Sequence, residues 1–116
     1  PGKIVSLWQK RLISPCVTRE IIDEYTRVLA YPQFQLSRQE IEYLIYHEIL
    51  PYFETVTASS DIHIVPEDPA DDKFIHCALA ASIESIISGD RHLLDLQSYK
   101  SIRIYHPADF MEKFKL

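Results

Sequence analysis

Apolar side chains recur at helical spacing through the first half of the chain. Val17, Ile21 and Val28 share one face of a predicted helix. Ser14 and Pro15 predict its start, because a hydroxyl N-cap followed by proline favours the first turn of a helix. We expect this helix to run to about residue 30 and to end before the next proline.

A second helix is predicted from the spacing of Ser37 and Glu40, which is that of a capping box. Pro51 should close this helix, whose apolar positions are Ile41, Leu44, Ile45 and Ile49. Three shorter elements accompany these helices. Residues 4–8 resemble the last turns of an amphipathic helix, residues 12–13 a short buried strand, and residues 53–56 an edge strand.

The second half of the chain alternates between helical and strand patterns. Asp68 and Pro69 predict the start of a third helix, with apolar positions Phe74, Ile75, Ala78 and Leu79. Strands are predicted at residues 85–88 and 102–105, an extended piece at 62–65, a brief helix at 92–96, and a terminal helix from Pro107. This alternation predicts an α/β fold with parallel strands, and residues 1–116 as a single domain.

Composition narrows the class of protein. The chain has 116 residues, of which 47% are hydrophobic, so it can bury a real core. Its formal charge of −5 argues against a protein that coats nucleic acid by charge alone, although divalent cations can offset an acidic site. Cys16 and Cys77 are isolated, so we expect reduced thiols in a cytoplasmic protein and no zinc site. No apolar run is long enough for a membrane span.

Glu24 is the most informative single residue, because it falls in the middle of an apolar stripe. Burying a lone carboxylate costs several kcal/mol, or shifts its pKa until it is neutral. Glu24 therefore needs a cation, a hydrogen-bond donor or a metal. The alternative is a residue at the edge of the stripe that reaches solvent or pairs with Arg27.

Two further groups of carboxylates lie where elements begin or end. Asp68 and Asp71 are accounted for as residues that favour a helix start, whereas Asp72 faces inward with Ile75 and Leu79 and needs another explanation. The alternative for Asp72 is a surplus solvated charge. Asp90 follows a strand, where ligands of open α/β sheets bind, but it is equally suited to cap the next helical turn.

Glu24, Asp72 and Asp90 come from three elements that could converge at one end of a sheet. Three carboxylates at one point repel each other unless a divalent cation joins them. Oxygen ligands of this kind suit Mg²⁺ or Mn²⁺, which can support phosphodiester cleavage. Convergence is the assumption on which this hypothesis depends.

Four segments, in order, resemble PIN-domain proteins of the kind found as toxins of toxin–antitoxin pairs. Residues 14–29, SPCVTREIIDEYTRVL, resemble that family's "SP…iL.Ey..vL" segment. Residues 67–74, EDPADDKF, resemble its "DP.DDkF" helix start, and residues 86–94, IISGDRHLL, its "ivtGD.dLL". Residues 104–110, IYHPADF, resemble its terminal "i.tP.eFl". Each motif is weak by itself, and the ordered set is fairly specific.

The resemblance implies a three-layer α/β/α sandwich around a central parallel sheet. It implies a ribonuclease that uses Mg²⁺ or Mn²⁺, with Glu24, Asp72 and Asp90 as catalytic and metal-site carboxylates. Ser88 matches a small polar position that bonds water or a site carboxylate. Three further residues could meet phosphate: Lys73, Arg91 and His92. RNA is then the expected substrate, an antitoxin the expected protein partner, and a homo-oligomer the expected assembly, with no membrane.

The sequence departs from the family at its start. The family begins with a strand that ends in an Asp, a central metal ligand, and no such strand precedes Pro1. We therefore expect an N-terminally incomplete sheet, weaker metal binding, and slow or no cleavage. A non-catalytic interaction module that keeps the fold is the main alternative. A receiver-like phosphoacceptor domain ranks lower, because Lys100 precedes the last strand instead of following it.

Aromatic residues in the middle of the chain have two interpretations. Tyr43, Tyr46, Tyr52 and Phe53 could form a base-stacking surface, but a helix stripe with strand core is the commoner arrangement. Any that are exposed would suit a dimer face or an antitoxin groove.

Overall fold

The computed structural model describes residues 2–58, 64–65 and 71–116, which fall in two compact units. Residues 2–56 form one unit and residues from 57 onward form the other. Each unit alternates helices with strands that pair in parallel. The fold is therefore α/β with parallel strand pairing, as the pattern of the sequence predicted. The single domain and the three-layer arrangement stay predictions.

The unit of residues 2–56 contains three α-helices and a short parallel strand pair. The helices are α1 (Gly2–Gln9), α2 (Arg19–Leu29) and α3 (Arg38–Tyr43), and the strands are β1 (Cys16–Val17) and β2 (Glu54–Thr55). Cys16 pairs with Glu54 and Val17 with Thr55. The predicted helix at residues 4–8 and the predicted strand at residues 53–56 are thus confirmed within a few residues.

The start of α2 differs from the prediction. The Ser14 and Pro15 signal does not open the helix; instead the Thr18 hydroxyl accepts from the Ile21 amide at 3.2 Å and caps it. The reason is tertiary pairing, because the Pro15 carbonyl accepts from the Glu54 amide at 2.8 Å and the next residues enter β1. The predicted strand at residues 12–13 is also wrong, since both residues lie in a bend and Leu12 is 62% exposed.

The predicted capping box at the start of α3 is confirmed. The Ser37 hydroxyl accepts from the Glu40 amide at 3.1 Å, and the Glu40 carboxylate accepts from the Ser37 amide at 2.9 Å. Beyond α3 the backbone widens into a π-helix over Leu44–Ile49 and then tightens into a 3-10 turn over Leu50–Tyr52. Another 3-10 turn covers Pro32–Phe34. Pro51 lies in the last turn, so the predicted end of this helical segment is confirmed.

The aromatic residues of this segment are divided between the interior and the surface. Phe53 packs edge-on against Trp8, with ring centroids 5.0 Å apart. Tyr43 and Tyr46 are exposed, and the Tyr43 ring stacks on His47 at 4.8 Å. The expectation that these rings belong to a core stripe is therefore wrong for Tyr43 and Tyr46, because Ile41 and Ile45 occupy the buried face.

The unit from residue 57 onward is built around a three-stranded sheet. Its elements are α4 (Asp72–Ala81), β3 (Ser85–Ile87), α5 (Arg91–Leu96), β4 (Ser98–Tyr99), β5 (Ile102–Tyr105) and α6 (Pro107–Lys113). The strand order is β3-β5-β4, with β3 parallel and β4 antiparallel to β5. Strand β4 was not predicted, since two residues are too few to show an alternating pattern.

The core of this unit lies between α4 and the sheet. Its buried side chains are Val65, Ile75, Ala78, Ile86, Leu93, Ile102 and Ile104. Full burial of one such Val, Ile or Leu side chain stabilises a fold by about 1.5–3 kcal/mol. The predicted apolar positions of the third helix therefore pack as expected, while its predicted start at Asp68 and most of the predicted extended piece at 62–65 lie outside the described residues.

None of the helices in the described part of the chain is both long enough and apolar enough to cross a bilayer.

Candidate metal centre

Four hydrogen bonds order the turn after β3 and position Asp90. The Ser88 amide continues the strand ladder to the Tyr105 carbonyl at 2.9 Å. The Ser88 hydroxyl accepts from the Asp90 amide at 2.9 Å. Asp90 Oδ1 then accepts from the amides of His92 at 2.8 Å and Leu93 at 3.2 Å, so Asp90 caps α5.

These bonds show how two residues that the sequence analysis selected, Asp90 and Ser88, are used in the structure. The N-cap interpretation of Asp90 is confirmed, and both capping bonds use Oδ1 alone. The second carboxylate oxygen, Oδ2, is not needed for the cap, so a ligand role remains compatible with it. Ser88 bonds the backbone of the turn here and thereby fixes the backbone position of Asp90.

Three donor side chains from α4 and α5 come together at this turn. Asp71, Asp90 and His92 each offer one ligand atom, and these atoms all lie within 4.8 Å of one another. Asp71 is buried, His92 is half-buried and Asp90 is exposed. Although Asp71 holds the N-cap position of α4, its side chain makes no capping bond to that helix. Its carboxylate lies with the residues of the α5 turn instead.

This donor set fits a divalent cation. Oxygen ligands on opposite sides of a bound Mg²⁺ or Ca²⁺ are about 4–5 Å apart, which the observed spread nearly matches. Two carboxylates this close repel each other, and a shared cation removes that repulsion. The imidazole adds a nitrogen ligand to the two oxygen ligands.

The side chain of Asp72, the neighbour of Asp71, contacts the backbone of residues 64–65. Its Oδ1 accepts from the Ile64 amide at 3.1 Å and from the Val65 amide at 2.6 Å. The side chain is buried, in agreement with the predicted inward direction. Asp72 therefore holds residues 64–65 against the start of α4, where Val65 enters the core. Its predicted role as a metal ligand stays a prediction.

Glu24 lies on α2, in the unit of residues 2–56. Its Oε1 is 3.7 Å from Nη2 of Arg27, and its side chain is 22% exposed. This is the ion pair that the second interpretation of Glu24 expected. An ion pair between residues three apart on a helix is weak, about 0.2–0.5 kcal/mol, so it does not preclude a stronger cation. Convergence of Glu24 with Asp72 and Asp90 joins residues of the two units and stays a prediction.

The cationic residues near the centre differ in their exposure. Arg91 is 89% exposed in its side chain and lies 3.8 Å from Asp95, so it is accessible to an anionic ligand. Lys73 is buried, with its amino group 5.5 Å from the centroid of the Phe74 ring. Of the three residues suggested for phosphate, Arg91 is the most accessible.

The sequence pattern singled out Asp90 but passed over Asp71 and His92 as ligands. Asp71 was accounted for as a residue that favours a helix start, and His92 as a phosphate contact. One signal was available for His92. It lies two residues after an N-cap aspartate, a spacing that places both side chains on the same first turn. Periodicity distinguished Asp72 as facing inward, but no local pattern marked Asp71 as a ligand.

Comparison with known proteins gave one finding. A family model described as PIN domain matches residues 1–92, which is most of the chain and includes Glu24, Asp71, Asp72, Asp90 and His92. Searches of curated proteins and of solved structures each returned no significant match.

Proposed function

This chain belongs to the PIN-domain family, and we propose that it is a divalent-metal-dependent ribonuclease that hydrolyses RNA phosphodiesters. One observation supports the proposal most strongly: the ligand atoms of Asp71, Asp90 and His92 lie within 4.8 Å of one another. The PIN domain is a nuclease-type fold whose members generally use divalent metals. A donor cluster in such a chain is therefore a natural catalytic centre.

The residues of this centre have distinct tasks in this proposal. Asp71, Asp90 and His92 would hold a Mg²⁺ or Mn²⁺ ion, which would supply an activated water and offset negative charge on the phosphoryl group. Asp90 is exposed and its carboxylate is held by two amides, so it can face a cation without losing its position. Asp71 is buried and supplies negative charge from a less polar environment, where attraction to a cation is stronger. Arg91 is exposed and would contact a phosphate.

Glu24 and Asp72 remain proposed ligands on the strength of the family resemblance. For Asp72 the proposal must respect its two bonds to the Ile64 and Val65 amides, which occupy Oδ1. Only its other oxygen lies outside these bonds. A substitution of Asp72 would therefore remove its bonds to residues 64–65 as well as any metal ligand, so stability and metal binding must both be measured.

A cleavage assay tests the proposal. Single-stranded RNA incubated with the chain and Mn²⁺ should be cut, and EDTA should abolish the cutting. Asp90→Asn keeps an N-cap acceptor but removes the charge, so we expect cleavage to fall by about 10- to 100-fold or more without unfolding. Asp95→Asn removes an exposed carboxylate of the same helix and serves as the matched control. Cleavage that survives EDTA, or that Asp90→Asn leaves unchanged, contradicts the proposal.

Partnership with an antitoxin, in the cytoplasm, is part of the same proposal. The segment of residues 31–58 carries Glu40, Glu42, Glu48 and Glu54 against Arg38, a formal charge of −3. It also exposes Tyr43 and Tyr46. A groove of about 330 Å³ opens here, with Leu36, Tyr43 and Leu44 among its lining. An acidic surface with apolar anchors suits a basic, amphipathic protein segment better than it suits RNA.

The same surface favours a second candidate function, a non-catalytic interaction module. The module predicts no RNA cleavage with Mg²⁺ or Mn²⁺ and retained binding of a basic amphipathic peptide. Tyr43→Ala should weaken that binding by removing the aromatic anchor.

Self-association is measured in the same series by sedimentation of the purified chain, where a homo-oligomer dissociates on dilution and a monomer does not.

A further inference from the structure

Building on the proposed function, we infer that His92 is a metal ligand, and that with Asp71 and Asp90 it makes this centre select Mn²⁺ over Mg²⁺. The imidazole is the distinguishing feature, because it introduces nitrogen into a set that otherwise consists of carboxylate oxygens. Mn²⁺ stands here for the first-row transition cations of its class.

The first step of the argument is the geometry of the α5 turn. The His92 amide donates to Oδ1 of Asp90 at 2.8 Å, which ties the backbone of one ligand to the carboxylate of the other. The Leu93 amide adds a second bond at 3.2 Å to the same oxygen. Hydrogen bonds to a ligating carboxylate orient it and are a general feature of metal sites. The Asp90 carboxylate is therefore held against the backbone of His92 before any ion arrives.

The second step is the position of Asp71. It lies on a different element from the other two residues, at the start of α4, and its carboxylate does not cap that helix. Its ligand atom is within 4.8 Å of those of Asp90 and His92 although the side chain is buried. A donor brought in from another helix closes the set around one point, which a single helical turn cannot do.

The third step is the chemistry of the donors. Mg²⁺ prefers oxygen ligands, demands nearly ideal octahedral geometry and gives up its waters reluctantly. Imidazole nitrogen is a softer donor, and first-row transition cations accept it more readily than Mg²⁺ does. Exchanging one carboxylate oxygen for an imidazole nitrogen therefore weakens Mg²⁺ binding relative to Mn²⁺ binding.

The test measures metal binding directly. Titration calorimetry gives the affinities of Mn²⁺ and Mg²⁺ for the parent chain, His92→Ala, His92→Asp and the control Asp95→Asn. We expect His92→Ala to lower Mn²⁺ affinity by about 10-fold or more. We expect His92→Asp, which restores an oxygen donor, to lower the ratio of Mn²⁺ to Mg²⁺ affinity. Asp95→Asn should change neither affinity, and circular dichroism establishes that each variant is folded.

A spectroscopic signature completes the test. Pulsed electron paramagnetic resonance of bound Mn²⁺ detects the ¹⁴N nucleus of a coordinating imidazole. The parent chain should show this coupling, and His92→Ala and His92→Asp should lose it. Absence of nitrogen coupling in the parent chain, its persistence in His92→Ala, or an unchanged affinity ratio in His92→Asp overturns the inference.

The outcomes separate this inference from the proposed function. If bound Mn²⁺ shows nitrogen coupling but RNA is not cleaved, the result supports His92 as a ligand and contradicts the ribonuclease proposal. If cleavage is sensitive to EDTA but nitrogen coupling is absent, the result supports the ribonuclease proposal and contradicts His92 as a ligand. Failure of both Mn²⁺ and Mg²⁺ to bind at millimolar concentration overturns both.

Discussion

Helix starts in two regions use acidic residues in different ways. At α3, Ser37 and Glu40 bond each other's backbone amides, and both bonds are local and exposed. At α4 and α5, Asp72 reaches back to the Ile64 and Val65 amides, and Asp71 lies beside Asp90 of another element. In the first region the carboxylate completes its own helix. In the second, carboxylates join separate parts of the chain, which is what a ligand-binding centre requires.

The largest effect should come from breaking the bonds of Asp72. Asp72→Ala leaves the Ile64 and Val65 amides without this acceptor, and each buried donor left unsatisfied costs about 1–3 kcal/mol in the free energy of unfolding. Asp72→Asn keeps an amide oxygen as acceptor and should cost clearly less. Urea unfolding measures both costs, and hydrogen exchange at the Ile64 and Val65 amides should quicken in Asp72→Ala.

The control for Asp72 is an acidic residue of the same unit with only a surface pairing. Asp95→Ala, whose carboxylate is 3.8 Å from Arg91 and largely exposed, should change the free energy of unfolding by less than about 1 kcal/mol. If Asp72→Ala is no more destabilising than Asp95→Ala, the carboxylate does not hold residues 64–65 in place.

The contrast also explains which features the sequence could predict. The α3 cap depends on two residues three positions apart, so spacing alone identified it. Asp90 as a cap follows the same local rule. The strands of the second unit, and the inward face of α4, follow from periodicity because their apolar side chains repeat at the period of the element.

Features that depend on distant residues escaped prediction. The start of α2 was misplaced because pairing of residues 15–17 with residues 54–56 decides it, and the sequence does not show that pairing. Asp71 and Asp72 are neighbours whose side chains leave a helix about 100° apart. Periodicity showed that Asp72 faces inward, but only the fold shows that its acceptor oxygen serves residues 64–65 while Asp71 meets Asp90.

A smaller effect is expected from the α3 cap. Ser37→Ala removes the acceptor for the Glu40 amide and should lower the free energy of unfolding by about 1 kcal/mol. Thermal unfolding at neutral pH measures it. Ser37→Asp, which offers another capping oxygen, should restore most of the loss, and no recovery would mean that the cap does not stabilise α3.

Acid should weaken the same cap in a defined window. Bonds from the backbone and side chain of Ser37 hold the pKa of Glu40 below its ordinary value of 4.5. A carboxyl whose pKa is lower in the folded state contributes stability above its unfolded pKa, and that contribution is lost as the pH falls through the folded value. The parent chain should therefore lose this contribution below pH about 4.5, whereas Glu40→Gln should lack this component of the pH dependence. Equal slopes of melting temperature against pH would contradict the assignment.

The smallest expected effect is on the reactivity of Cys16 in β1, whose thiol contacts the carboxylate of Glu54 in β2. Burial, and then the charge and hydrogen bonding of Glu54, raise the pKa of the Cys16 thiol above its ordinary value of 9.0. A raised pKa means that folding favours the protonated thiol. Any stability that this contributes is present below the pKa of the unfolded state and is lost as the pH rises through the pKa of the folded state. Near neutral pH the thiol should therefore react slowly with iodoacetamide.

Glu54→Gln separates the two causes of the Cys16 shift. Since burial is the larger cause, the substitution should move the alkylation midpoint only slightly toward lower pH and raise the rate modestly. Peptide mapping by mass spectrometry distinguishes Cys16 from the buried Cys77, which serves as an internal control. A large acceleration would show that the Glu54 charge, and not burial, dominates. In that event the short β1–β2 pair would resemble the second region, where a carboxylate acts across elements, more than it resembles the α3 cap.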